Sequence, residues 1–100
     1  MLHHAVMMRF EGTPPERAEK ARRAARWLRE LPERIPWIRR YEPRVDGLRT
    51  DRSWDLLLLS AFDDADALVR YQEHPDHRAV LERLRGLGLA GVAVVDWEEE

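Results

Sequence analysis

Cysteine is absent from the 100-residue chain, which excludes a disulfide scaffold, a thiol nucleophile and thiolate metal ligands. Lysine is nearly absent too: of the 17 cationic residues, only Lys20 is not arginine. Charge of one sign does not dominate. The formal net charge is −2 and the sequence pI about 6.1, so no global basic field exists to attract nucleic acid or an anionic membrane surface. Apolar runs are short, and none approaches the roughly 20 residues that span a bilayer. The opening stretch Met1-Leu2-His3-His4-Ala5-Val6-Met7-Met8 has no cationic leader and meets Arg9 too early for a secretory signal. A cytoplasmic protein is expected, with no nucleic-acid or membrane partner. Glycine is scarce, at 5 residues, and neither a Gly-rich phosphate loop nor a nucleophilic-serine context occurs. No cofactor is implied.

What is present is patterned. Residues 2–10 alternate, with Leu2, His4, Val6, Met8 and Phe10 on one side and His3, Ala5, Met7 and Arg9 on the other, which predicts a strand. Thr13 is an N-cap candidate before Pro14-Pro15, and a helix is expected from Glu16 to about Glu30. Ala21, Ala24, Ala25, Trp27, Leu28 and Leu31 make its apolar stripe, and Leu31-Pro32 should end it. A second strand is expected over Trp37–Val45, on an edge or at a bulge because of Pro43. A third runs from Trp54 to Phe62 around Leu56-Leu57-Leu58-Leu59. Asp63-Asp64 should cap a short helix through Glu73. A further helix follows the His74-Pro75 break, with Val80, Leu81, Leu84 and Leu87 inward, and Gly86 and Gly88 end it. Val92–Trp97 is the fourth strand, and Glu98-Glu99-Glu100 an exposed acidic tail.

The order β-α-β-β-α-β is the split arrangement of ferredoxin-like folds: an α+β domain over residues 1–97 with a four-stranded antiparallel sheet. Right-handed crossovers place both helical regions on one face. The other face should alternate into polar residues, yet Ala5, Met7, the leucine run and the valine run keep it apolar. An exposed apolar face of that size calls for a partner, and a second copy packed sheet to sheet is the expected one.

Four histidines are present. His4 shares its side of the strand with apolar residues and should point at a core. Tyr71 and His77 flank Gln72-Glu73-His74-Pro75-Asp76, a proline-centred bend that can aim both into one pocket. At a helix N-terminus the dipole disfavours imidazolium, so His77 should stay neutral at pH 7. A neutral imidazole accepts a proton, and a nearby tyrosine hydroxyl stabilises a developing oxyanion. The bland alternative is that His4, Tyr71 and His77 bond one another as a structural cluster. Val6, Met8, Trp27 and His74 are candidates for the pocket wall. Zinc needs three or four ligands; His74 precedes the helix that carries His77, and no carboxylate completes a set, so no metal site is expected.

Three places together resemble the Dabb family, the stress-responsive dimeric α/β-barrel domains. They are His4-Ala5-Val6-Met7-Met8-Arg9-Phe10, Tyr71-Gln72-Glu73-His74-Pro75-Asp76-His77 and Val94-Val95-Asp96-Trp97, with Phe62 to Leu68 fitting between them. The resemblance covers essentially the whole chain. It implies a homodimer whose two sheets form a barrel, with a small-molecule pocket between sheet and helices. Most members have no assigned reaction, but one plant member closes a linear polyketide by aldol condensation. By that resemblance, His77 is a general base, Tyr71 holds a carbonyl or enolate oxygen, and His4 orients the substrate or the tyrosine. The functional expectations are thus a homodimeric ligand-binding domain, a cofactor-free cyclase- or oxygenase-like enzyme, or a structural protein without a ligand.

Overall fold

The alternating segment near the N-terminus becomes an interior strand of the sheet in a computed structural model that describes residues 1–99. The elements are β1 (Leu2–Phe10), α1 (Pro14–Leu28), α2 (Leu31–Arg34), β2 (Arg40–Val45), β3 (Leu56–Phe62), α3 (Ala65–Glu73), α4 (Pro75–Gly86) and β4 (Leu89–Glu98). Strands lie in the order β2-β3-β1-β4, every neighbouring pair antiparallel. This is the expected ferredoxin-like arrangement. Pro43, which cannot donate to a ladder, sits on the edge strand β2 opposite Leu58.

Several boundaries differ from the sequence expectation for identifiable reasons. α1 starts at Pro14 rather than Glu16, because proline at the first helical positions has no N–H to satisfy. Thr13 and Glu16 form a capping box: the Thr13 hydroxyl accepts from the Glu16 N–H at 3.3 Å, and the Glu16 carboxylate accepts from the Thr13 N–H at 2.9 Å. Pro32 does not stop the helical region; it occupies the first turn of the short helix α2. β2 begins at Arg40 and β3 at Leu56, later than Trp37 and Trp54. β4 is longer than Val92–Trp97 at both ends. It passes Gly91, where a Cβ would come within 3.3 Å of the Trp54 ring. It also takes in Glu98, so that residue is strand rather than tail, and Glu100 lies outside the described residues.

Alternation divides the sheet as expected. Leu2, His4, Val6, Met8 and Phe10 are buried beneath the helices, opposite Leu56, Leu58, Ser60 and Phe62 of β3. Ala21, Ala24, Ala25 and Leu28 of α1 close over them with Leu68, Val80 and Leu84. On the other face Met7 pairs with Leu57 and Ala5 with both Leu59 and Val95. Met7, Val95 and Trp97 are 37%, 65% and 39% exposed there, which is much apolar surface for one sheet face. Along the β2 edge this stripe is bounded by ion pairs from Arg40 and Arg44 to Glu42.

Just before β3, Asp55 is fully buried. Its carboxylate accepts from the Phe10 N–H (2.8 Å), Arg17 Nε (3.2 Å) and Arg49 Nη2 (2.9 Å). One side chain thereby ties β1, α1 and the β2–β3 loop together. Arg49 holds φ at +58°, a conformation that favours glycine; its N–H to Asp46 (2.9 Å) and its guanidinium on Asp55 offset that cost. Burial raises the Asp55 pKa, but the Phe10 N–H and the two guanidiniums together outweigh it and hold the carboxyl below its usual range. A depressed folded pKa means that the contribution is complete above the unfolded value of about 3.9 and is lost as pH falls through the lower folded value. Asp55→Ala should lower stability by about 3–5 kcal/mol in urea denaturation and flatten the loss of stability below about pH 4. A change under about 1 kcal/mol would contradict this role.

Candidate functional site

Two local features bring the polar side chains together. β1 sends His4 to the helix side, where it is buried among apolar neighbours. The α3–α4 junction supplies the others. Asp64 caps α3, its Oδ1 accepting from the Ala67 N–H at 2.8 Å. His74 ends α3 in an extended conformation and caps α4, its Nδ1 accepting from the Asp76 N–H at 3.0 Å. With Pro75 in the first turn of α4, the chain changes direction between Tyr71 and His77. Their rings end up 4.4 Å apart between centroids, at 56°.

His4, Tyr71 and His77 line one cavity of about 250 Å³ between the sheet and the helices, together with Gln72 and Asp96. The rest of its wall is aliphatic, including Val6, Met8, Leu28, Leu58 and Leu84. A cavity of roughly 150 Å³ accommodates benzene, so this one has room for a substituted ring or a fused pair. It opens along β4, where the lining residues Val92 and Val94 are 52% and 49% exposed.

Hydrogen bonds fix the chemistry of both imidazoles. His77 Nδ1 lies 3.1 Å from the Gln72 carbonyl. A carbonyl only accepts, so Nδ1 carries the proton and Nε2 holds a lone pair. His4 Nδ1 forms a short hydrogen bond to the Asp96 carboxylate, which fixes the proton on the same nitrogen. Burial lowers the His77 pKa, with the Gln72 carbonyl opposing it and His4 adding to it. The direction agrees with the sequence expectation, but desolvation is the larger cause. Tyr71 and Tyr41 hydroxyls are 2.7 Å apart. Burial pushes the Tyr71 phenol up to about 12, against the Tyr41 hydrogen bond, which lowers it. Burial, then Tyr71, drives Tyr41 well above the ordinary phenol range. Both phenols are protonated at neutral pH. Either hydroxyl can donate in this pair.

Of the candidates for the pocket wall, Val6 and Met8 line the cavity, and Trp27 and His74 lie elsewhere. Trp27 lies under the guanidiniums of Arg23 and Arg83, 5.4 and 5.7 Å from its ring centroid, between α1 and α4. His74 is occupied as a helix cap and packs beside Trp37, with ring centroids 5.8 Å apart. Sequence reasoning also missed Asp96 and Tyr41. Asp96 pairs with His4 across the β1–β4 ladder. Its spacing with Val94 and Val92 put it on one strand side, but only the register shows which residue it meets. Tyr41 reaches Tyr71 from β2, across the sheet, and no local pattern announces that contact. Among the described residues, no three His, Asp or Glu side chains converge to hold a metal ion.

Fold and site define a ferredoxin-like α+β domain with a histidine–tyrosine cavity. The family model of the Dabb domain, the stress responsive A/B barrel domain, matches residues 2–99, and the chain belongs to that family. Similar solved structures agree on the fold. A dimeric protein of unknown function with a ferredoxin-like fold from Bacteroides fragilis NCTC 9343 superposes with a TM-score of 0.86 at 24% identity, over 98% of this chain and 95% of that one. A dimeric ferredoxin-like protein of unknown function from Thermobifida fusca YX gives 0.79 at 26%, over 98% and 90%. Another dimeric ferredoxin-like protein of unknown function, from Jannaschia sp. CCS1, gives 0.70 at 27%, over 98% of each chain. No curated protein matches the chain. No helix among the described residues is long and apolar enough to cross a membrane.

The tyrosine pair is directly testable, because Tyr41 and Tyr71 are the only tyrosines. Tyr41→Phe removes the hydrogen bond that lowers the Tyr71 pKa, so the remaining phenol should ionise at higher pH than Tyr71 does in the parent. Alkaline absorbance titration of the two proteins checks this. Tyrosinate forming at lower pH in the variant than in the parent contradicts the Tyr41 contribution.

Proposed function

We propose that this protein is a homodimer that binds a small molecule in the His4–Tyr71–His77 cavity. The observation that carries the binding half is a cavity of about 250 Å³ with mostly aliphatic walls and three convergent polar rings, the usual make-up of a small-ligand site. Support for the dimer comes from the exposed stripe of Met7, Val95 and Trp97 and from the dimeric relatives of Thermobifida fusca and Jannaschia.

Each half has its own test. Sedimentation at micromolar concentration should give about twice the 11.8 kDa chain mass, and Met7→Glu should shift it to monomer or unfold it. A monomeric parent protein contradicts the dimer. For the cavity, indole serves as a neutral bicyclic probe. It should move the NMR signals of His4, Tyr71 and His77 in the parent and leave them still in Val94→Trp, where the new ring fills the cavity mouth. Equal responses in both proteins, or none in either, contradict ligand binding at this place.

The bare Nε2 of His77, on a ring 4.4 Å from that of Tyr71 between centroids, supports a second, enzymatic reading. His77 Nε2 takes the proton from a carbon next to a carbonyl, the electron pair moves to the carbonyl oxygen, and Tyr71 hydrogen-bonds the resulting enolate. His4, braced by Asp96, orients the ring. This is the proton-transfer core of a cyclase-like reaction. 2-Tetralone in heavy water should exchange its α-protons faster with the parent than with His77→Ala. Exchange no faster than in buffer removes the enzymatic reading and leaves the binding one intact.

A further inference from the structure

The cavity's charge and hydrogen-bond roles restrict what it can hold. None of its lining residues is lysine or arginine, although the chain contains 17 such cations. The charge that does line it is negative, the Asp96 carboxylate, half of whose side chain remains buried at the cavity edge. His4 and His77 give their Nδ1 protons to Asp96 and the Gln72 carbonyl. Neither Nε2 has a protein partner, and neither is sealed away from solvent, since among the described residues the buried unpartnered side-chain atom is Arg49 Nε. The neutral His77 ring therefore offers a lone pair to the cavity.

We infer that the site selects uncharged, hydroxylated ring compounds and rejects the matching carboxylates. This rests on the ligand-binding reading above. A ligand carboxylate brings acceptors only. It would meet the His77 lone pair and the Asp96 carboxylate in a largely aliphatic enclosure and lose its hydration. A ring hydroxyl meets the opposite situation. It donates to His77 Nε2 while its ring packs against the aliphatic wall. The cavity volume suits one ring or two fused rings.

Three probes of one shape separate the terms: 2-naphthol, naphthalene and 2-naphthoate, titrated at pH 7 by calorimetry and NMR. The naphthol should bind on the order of tenfold more tightly than either of the others. His77→Ala should remove the advantage of naphthol over naphthalene. Asp96→Asn keeps an acceptor for His4 Nδ1 and removes the charge, so it should narrow the gap between naphthol and naphthoate. Naphthoate binding as tightly as naphthol overturns the inference, and so does naphthol binding no better than naphthalene. In both cases the cavity itself stands. Failure of all three probes to bind removes the ligand-binding reading together with the inference.

Discussion

Alternation along β1 sends successive side chains to opposite faces of one sheet, and the protein's helices cover only one of those faces. They also do so unevenly. α1 packs against β2 and β1, and α3 against β3, while the helix over β4 is α4. Where this layer stops short of β4, the side chains of Val92 and Val94 stay half exposed and a cavity remains between the sheet and α4. The bare face is the second consequence. Met7, Leu57 and Val95 have no helix above them, and their apolar character would be a liability in an isolated subunit. One constraint therefore produces both a ligand-sized space and a surface that needs a second sheet.

Within the cavity, backbone and strand pairing determine the chemistry more than any single reactive residue. The carbonyl of Gln72 at the end of α3 sets the tautomer of His77, and ladder register brings Asp96 to His4. Desolvation keeps His77 from charging, and the same desolvation keeps Tyr71 protonated. Acceptor and donor thus coexist at neutral pH. Away from the site, Asp55 anchors α1 and the β2–β3 loop to the end of β1, which holds the strand carrying His4 at a fixed depth.

Much of this was visible in the sequence, because it depends on period and punctuation. The alternation of Leu2 to Phe10 gives β1 with its observed bounds, and Asp64, His74 and Pro75 bracket the two helices that present Tyr71 and His77. The two-sided leucine run pointed to a bare apolar face, and pairing to β1 settles that Leu57 and Leu59 occupy it while Leu56 and Leu58 lie inside. What was hidden depends on distance. Asp96, Tyr41 and the Asp55 cluster act across strands or between strand and helix, and nothing in their neighbourhoods distinguishes them from surface residues. Trp27 misled for a related reason: its position on the apolar stripe was right, but two arginines pack on its ring and keep it outside the cavity.

The proton positions on the two imidazoles decide what the cavity can bind. Long-range proton–nitrogen NMR on the ring nitrogens of His4 and His77 at pH 7 reads this directly. The prediction is Nδ1–H with a bare Nε2 in His77, Nδ1–H in His4, and a His77 titration midpoint below its ordinary value of 6.5. A proton on Nε2 of His77, a His4 Nδ1 without its proton, or a His77 midpoint at or above that value would contradict it.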